Sequence, residues 1–184
     1  KIPVMKKINW GIIGLGTIAK KFAEGFSNLD NASIKAIASK KKENLDLFKK
    51  KFQIQDEFCF ENYMDLIFCK DIDIIYIALP NSFHAEYIVE AAKRHKNILV
   101  EKPAVTNFKD LKEVKQIISK NNIYFTEGLM YRHLPYFNYI KKIIVSNSLG
   151  KLLKIESSFC AKIYKQKNFF GFKINKPNYL HRLF

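Results

Sequence analysis

The sequence predicts an α/β fold, in which a doubly wound parallel sheet is followed by the beginning of an α+β domain with an antiparallel sheet. Short apolar runs of strand length alternate with helix-patterned segments from the start of the chain to about residue 123. This alternation is typical of βαβ units, whose parallel strands are buried on both faces. We therefore expect one doubly wound domain over residues 1–123 and an incomplete α/β domain over residues 124–184.

The predicted strands are short apolar runs, and the predicted helices carry apolar residues at helical spacing. The strongest strand is the run IDIIYIAL, which ends at Pro80. In chain order, the first elements are a strand at 8–14, a helix at 17–29, a strand at 33–39, a helix at 43–52, a weak strand at 58–60 and a helix at 63–68. The next are a strand at 72–79, a helix at 83–95, a strand at 97–101, a helix at 107–119 and a strand at 123–126.

The pattern changes after this point. An amphipathic helix is predicted over residues 134–147 and a long strand over residues 152–161, whereas the remaining residues are basic and aromatic without a clear period. A single strand with an apolar face needs partner strands to be stable. We therefore expect either another chain to complete this layer or the protein to be cut short.

The formal net charge of +15 raises the possibility of a nucleic-acid partner. However, the chain has 29 lysines and only 3 arginines, spread along its length, whereas readers of nucleic acid rely on clustered arginine. We therefore expect no nucleic-acid partner. No apolar run is long enough to span a membrane and no signal peptide is visible, which favours a cytoplasmic location. The three cysteines lack metal-type spacing, so no metal site is expected.

The segment GLGTIA at residues 14–19 lies between the first strand and the first helix. Gly14 permits a tight turn, Gly16 allows the backbone to approach a pyrophosphate, and Ala19 is a small residue where helix and strand pack. The helix start at Thr17 and Ile18 presents free N–H groups and the positive end of the helix dipole to the phosphates. This context predicts a dinucleotide-binding Rossmann domain; the alternative is that the glycines only shape a turn.

The end of the second strand bears on the choice of nicotinamide cofactor. Domains that prefer NAD place an acidic residue there, which binds the ribose 2′-hydroxyl. This chain has Ser39 and then Lys40 and two further lysines, which suit a 2′-phosphate. The lysine run could also be a solvated helix start. The missing acid favours NADP, and NAD remains possible.

Polar residues follow two further strand ends, where ligands bind in such sheets. The strand ending at Leu79 is followed by Pro80, Asn81 and, two residues later, Phe83 and His84. For His84, packing at a helix start is an equally good interpretation.

The strand ending at Val100 is followed by Glu101, Lys102 and Pro103. Because Pro103 restricts the preceding residue to extended geometry, Lys102 is expected at the strand tip, where it could orient a substrate oxygen and transfer its proton. The alternative is an ordinary surface lysine.

These segments resemble the Gfo/Idh/MocA family of oxidoreductases. The resemblance is carried by GIIGLGTIA, IYIALPNSFHAEYIVEAAK, VEKPAVTN, FTEGLMYRHLP and GKLLKIESSF, and it extends to about residue 160. It implies hydride transfer between a nicotinamide and a hydroxyl or carbonyl carbon of a sugar, cyclitol or diol. It also implies a small-molecule sugar or polyol as partner, and a homo-oligomer for the full-length family.

By the family pattern, Lys102 is the catalytic or substrate-orienting lysine, and Glu101, Asn81 and His84 line the cofactor pocket. The resemblance implies that Tyr131 and Arg132 face the nicotinamide end, which places Arg132 among the cofactor-binding residues.

The chain also departs from the family. Family members continue as an open antiparallel sheet and carry an Asp-x-Gly-x-His or Tyr signature whose last residue is usually the proton donor. That signature is absent, and His181 lacks its context. We therefore expect a chain truncated at its C-terminus; the alternatives are a non-catalytic dinucleotide-binding remnant and a basic nucleic-acid binder.

Overall fold

The computed structural model describes residues 7–158, and its centre is a six-stranded parallel sheet. The strand order is β3-β2-β1-β4-β5-β6, in which the sheet grows from β1 first in one direction and then in the other. The strands are β1 Ile8–Ile13, β2 Ala32–Ala38, β3 Cys59–Phe60, β4 Ile74–Ile77, β5 Asn97–Val100 and β6 Phe125–Glu127. The predicted doubly wound parallel sheet is therefore confirmed.

Helices connect successive strands. They are α1 Thr17–Glu24, α2 Lys42–Phe52, α3 Tyr63–Phe68, α4 His84–Lys93 and α5 Phe108–Asn121, and a further helix, α6 Pro135–Val145, comes after β6. Consecutive residues of the central strands are buried, as Ile12 and Ile13 of β1 illustrate, so both faces of the sheet are covered. Asn107 caps α5 by accepting a hydrogen bond of 2.9 Å from the Asp110 N–H.

Helix α1 and strand β4 are shortened most relative to the sequence predictions. Helix α1 ends at Glu24 and continues as a 3-10 turn over Gly25–Asn28, because the glycine weakens the helix at that point. The fourth strand pairs with both β1 and β5 only over Ile74–Ile77, although its apolar run is longer.

An aromatic cluster fastens α1 to the sheet. The Phe22 ring lies 4.1 Å from the Tyr76 ring and 5.5 Å from the Trp10 ring, centroid to centroid. Phe26 completes the cluster with an edge contact to Trp10 at 5.6 Å. Tyr76 is 1% exposed, so the cluster fixes its ring and directs its hydroxyl toward the carboxyl edge of the sheet, where it meets Glu101.

The chain divides into two compact units at the junction of Tyr131 and Arg132. The division follows β6 rather than residue 123, since β6 pairs with β5 and belongs to the sheet. In the second unit α6 forms as predicted, but residues 152–158 contain no strand, so the predicted strand at 152–161 is wrong over these positions. An apolar run forms a strand only where neighbouring strands provide partners for its backbone hydrogen bonds. Residues 159–161 lie outside the described part. Among the described residues, no helix is long and apolar enough to cross a membrane.

We expect Gly14→Ala to destabilise the fold by about 2–3 kcal/mol. The φ angle of Gly14 is +86°, and a Cβ atom there would lie 2.5 Å from the Ala78 carbonyl oxygen. Urea denaturation measures the change. Gly16→Ala is the matched control, because its Cβ would meet no atom within 4 Å, and it should cost less than about 1 kcal/mol. Equal losses in the two variants would contradict this role of Gly14.

Candidate active site

The candidate site lies at the carboxyl ends of the adjacent strands β1 and β4. The two strands pair in parallel up to Ile13 and Ile77, yet their connections lead to opposite halves of the sheet. The strand order therefore reverses between them, which opens a crevice at this edge. The segments that follow β1, β2, β4 and β5 all lie at this edge of the sheet, because the strands are parallel.

The turn after β1 is shaped by its contact with β4. The Gly14 N–H donates to the Ala38 carbonyl oxygen at 3.1 Å, while the other side of Gly14 faces the Ala78 backbone. Only a residue without a side chain fits at the observed φ and at this distance. Gly14 thus lets the backbone leave β1 sharply and begin α1 at the mouth of the crevice.

Gly16 is required by no protein contact. It is the extended N-cap residue of α1, and the space around its Cα is open. The first helical hydrogen bond runs from the Lys20 N–H to the Gly16 carbonyl oxygen, so the N–H groups of Thr17 and Ile18 have no partner within the helix. No acidic residue occupies the first turn of α1. These features fit a bound phosphate, which would approach the Gly16 backbone and accept hydrogen bonds from the helix start.

A groove of about 320 Å³ extends from this turn along the edge of the sheet. Its walls are apolar and aromatic with cationic groups at the rim, and they comprise residues 14–16, residues 39–41, Asn44, Tyr63, residues 78–80 and Phe83. A second groove, of about 640 Å³, lies between α1 and α2 and also contains Gly16 and Asn44. Flat apolar walls beside an anion-binding turn suit the adenosine half of a dinucleotide.

The turn after β2 forms the cationic rim. Ser39 is 4% exposed, and its hydroxyl accepts a hydrogen bond from the Lys41 N–H at 3.0 Å and lies 3.1 Å from the Lys41 carbonyl oxygen. The hydroxyl therefore holds the turn, and Lys40 and Lys41 are exposed at the groove. The Lys40 ammonium lies 5.5 Å from the centre of the Tyr63 ring, and no carboxylate lines the groove.

The segment after β4 forms the opposite wall. Leu79 is buried, while Pro80 and Asn81 are exposed, the latter in a 3-10 turn over Asn81–Phe83. His84 is 0% exposed, and its two ring nitrogens each lie 2.8 Å from a carbonyl oxygen, Nδ1 from that of Pro103 and Nε2 from that of Leu79. The buried His84 ring therefore connects two segments of the site, and its place in the cofactor pocket stays a prediction.

The segment after β5, residues 101–104, is named the EKPA segment. Glu101 accepts a hydrogen bond of 2.6 Å from the Tyr76 hydroxyl. Burial, and then the bond to Glu101, raise the pKa of Tyr76, so its hydroxyl keeps its proton and remains a donor. Lys102 follows as an exposed residue at the strand tip, joined to Pro103 by a cis peptide bond.

Two functional neighbours of the EKPA segment were not among the sequence predictions. In the sequence, Tyr76 is a residue of the apolar run IDIIYIAL and Glu127 a residue of the motif FTEGLMYRHLP. The Glu127 carboxylate accepts the Ala104 N–H at 2.7 Å. The sequence signal that could have indicated both residues is a polar group in or just after an apolar strand. Tyr76 places a hydroxyl within IDIIYIAL, and Glu127 places a carboxylate after YFT.

Tyr131 ends the first unit and Arg132 begins the second, so their predicted place at the nicotinamide end stays a prediction. Across residues 7–158, no three histidine, cysteine or carboxylate side chains form a cluster that could hold a metal ion.

Comparison with known proteins identifies relatives for this arrangement. Residues 8–129 match the model of the Gfo/Idh/MocA oxidoreductase family, described as having an NAD-binding Rossmann fold. A glucose-6-phosphate 3-dehydrogenase of Bacillus subtilis is 33% identical over 155 residues, which are 84% of this chain and 42% of the relative. An NADP-dependent scyllo-inositol 2-dehydrogenase of the same organism is 28% identical over 83% of this chain and 45% of its own length.

A solved dehydrogenase structure is also similar to this chain. The scyllo-inositol dehydrogenase of Lactobacillus casei with bound NAD(H) and scyllo-inositol has a TM-score of 0.74 and 28% identity, over 79% of this chain and 43% of that chain. The chain thus spans less than half the length of these relatives. The family match covers most of the sheet and the segments around the crevice, and the chain belongs to the Gfo/Idh/MocA oxidoreductase family.

Proposed function

We propose that this chain binds NADP(H) at the crevice and serves as the nucleotide-binding part of an oxidoreductase acting on a sugar, cyclitol or diol. The observation that carries the proposal is the turn at Gly14 and Gly16, where backbone N–H groups and open space meet at the start of α1. The named activities of the relatives, on glucose 6-phosphate and scyllo-inositol, support this substrate class.

The rim of the groove favours NADP over NAD. Lys40 and Lys41 are exposed there, and the acidic residue that would bind a ribose 2′-hydroxyl is replaced by a buried serine. A 2′-phosphate gains attraction from the two ammonium groups and meets no carboxylate. NAD remains the second candidate, since a relative of similar structure binds NAD(H).

Lys102 is the proposed catalytic residue. When bound, the nicotinamide supplies or accepts a hydride at the carbon that carries the substrate oxygen. The Lys102 side chain hydrogen-bonds that oxygen and thereby orients the substrate. It gives a proton to the oxygen when a carbonyl is reduced and takes up the hydroxyl proton when an alcohol is oxidised. Its position after β5, next to the end of β4, supports this role.

A second candidate is a dinucleotide-binding chain without turnover. The described residues supply a nucleotide crevice but only Lys102 as a proposed contact to the substrate, and the match covers less than half of each relative. Both candidates require the same nucleotide site and differ only in turnover.

We expect NADPH to bind more tightly than NADH, in a fluorescence titration of the reduced nucleotides. Lys40→Glu should reduce this preference by about tenfold, because it replaces an attraction to the 2′-phosphate by a repulsion. Lys109→Glu, at an exposed position of α5, is the matched control for net charge. An unchanged preference in Lys40→Glu, or an equal loss in both variants, would argue against a 2′-phosphate at the rim.

Lys102→Met should lower kcat by about 100-fold or more, since it removes the ammonium group and keeps the aliphatic stem. The Kd for NADPH should change by about tenfold or less. Nucleotide reduction with scyllo-inositol or glucose 6-phosphate measures the first quantity, and titration measures the second. Equal losses of kcat and affinity would remove the chemical role of Lys102. Tight NADPH binding without any turnover in the unmodified chain would favour the second candidate.

A further inference from the structure

The EKPA segment is held by three side chains from other parts of the fold. The Tyr76 hydroxyl donates to Glu101, a ring nitrogen of His84 lies 2.8 Å from the Pro103 carbonyl oxygen, and the Glu127 carboxylate accepts the Ala104 N–H. These contacts reach the residues before and after Lys102. The backbone that carries the lysine is thus fixed from both sides, although the lysine itself is exposed.

The contact made by Glu127 differs from the other two because it comes from the edge strand. Strand β6 pairs with β5 so that Glu127 lies beside Val100, the last residue before the EKPA segment. The Gly128 N–H then donates to the Val100 carbonyl oxygen at 2.8 Å. A Cβ atom at Gly128 would lie 3.2 Å from the Glu101 carboxylate, so the end of β6 lies directly against the EKPA segment.

The hydrogen bond between Glu127 and Ala104 is a strong one. Its length is 2.7 Å, its acceptor is a carboxylate, and the Ala104 residue is 8% exposed. If the carboxylate were absent, the buried N–H would lose its partner, and the segment would move to reach water. Ala104 follows Lys102 by only two residues, so such a movement would also displace the backbone of the lysine.

We propose that Glu127 is a positioning residue, which fixes the EKPA segment so that the Lys102 ammonium is held at the nicotinamide end of the bound cofactor. The proposal rests on the proposed function, since it requires a nicotinamide nucleotide in the crevice. The inference goes beyond that function because it gives a role to Glu127, for which no contact with nucleotide or substrate is proposed.

The test compares two ligands that differ only at the nicotinamide end. NADPH extends from the Gly14–Gly16 turn to Lys102, whereas 2′-phospho-ADP-ribose lacks the nicotinamide. Glu127→Leu removes the carboxylate at similar side-chain size and should weaken NADPH binding by about three- to tenfold. Binding of 2′-phospho-ADP-ribose should remain within about twofold, because its site lies at the helix start and the lysine rim.

Three further variants make the comparison specific. Glu127→Gln keeps an oxygen acceptor and should retain both affinities. Glu113→Leu, at an exposed position of α5, is the matched control and should change neither. Lys102→Ala should reproduce the selective loss for NADPH, and adding Glu127→Leu to it should cause no further loss, because the carboxylate acts through the lysine.

Each outcome decides between the possibilities. An equal loss of both affinities in Glu127→Leu, or no loss in either, would overturn the positioning role. Additive losses in the double variant would also overturn it. If the unmodified chain bound neither ligand, the proposed function itself would fail. If the unmodified chain and Glu127→Leu bound both ligands equally well, only the positioning role would fail.

A measurement on the unmodified chain keeps the proposal testable if Glu127→Leu does not fold. We expect slow hydrogen exchange at the Ala104 amide, and faster exchange in Glu127→Gln, whose neutral acceptor forms a weaker bond. Exchange at Ala104 as fast as that of exposed loop amides would show that the carboxylate does not hold the segment, and would overturn the proposal.

Discussion

The site depends on the close approach of the turn after β1 to the backbone at the end of β4. Gly14 makes this approach possible, because its positive φ and missing side chain let the chain pass the Ala78 carbonyl group. The same passage starts α1 at the edge of the sheet, so that its first N–H groups face the crevice. A phosphate-binding turn and the wall that faces it are thus consequences of one steric constraint.

The second half of the site depends on hydrogen bonds between neighbouring strand ends. The His84 ring joins the segment after β4 to the EKPA segment, and the Tyr76 hydroxyl joins β4 itself to Glu101. Burial keeps these groups away from water, which makes each contact costly to break. The backbone on either side of Lys102 is therefore fixed by hydrogen bonds. A side chain that orients a substrate requires such a fixed attachment.

The sequence predicted those parts of the site that arise from local patterns. The turn at Gly14 and Gly16 and the end of β5 before the EKPA segment are set by short-range rules, so their positions agree with the fold. Strand β4, in contrast, ends at Ile77, two residues before the predicted end at Leu79. The hydrogen bond from the Ala104 N–H to the Glu127 carboxylate could not be predicted in the same way, because it depends on the register of β6 with β5.

Similarly, the sequence around His84 does not reveal that both of its ring nitrogens face backbone carbonyl groups. The predicted strand at 152–161 failed over its described residues for a related reason, since strand formation depends on partners and not on an apolar pattern alone. A 1H–15N NMR titration with NADPH tests phosphate binding at the turn after β1. We expect the largest amide shifts at residues 14–19, at this turn and the start of α1. Shifts confined to the exposed lysines elsewhere, with none at this turn, would contradict it.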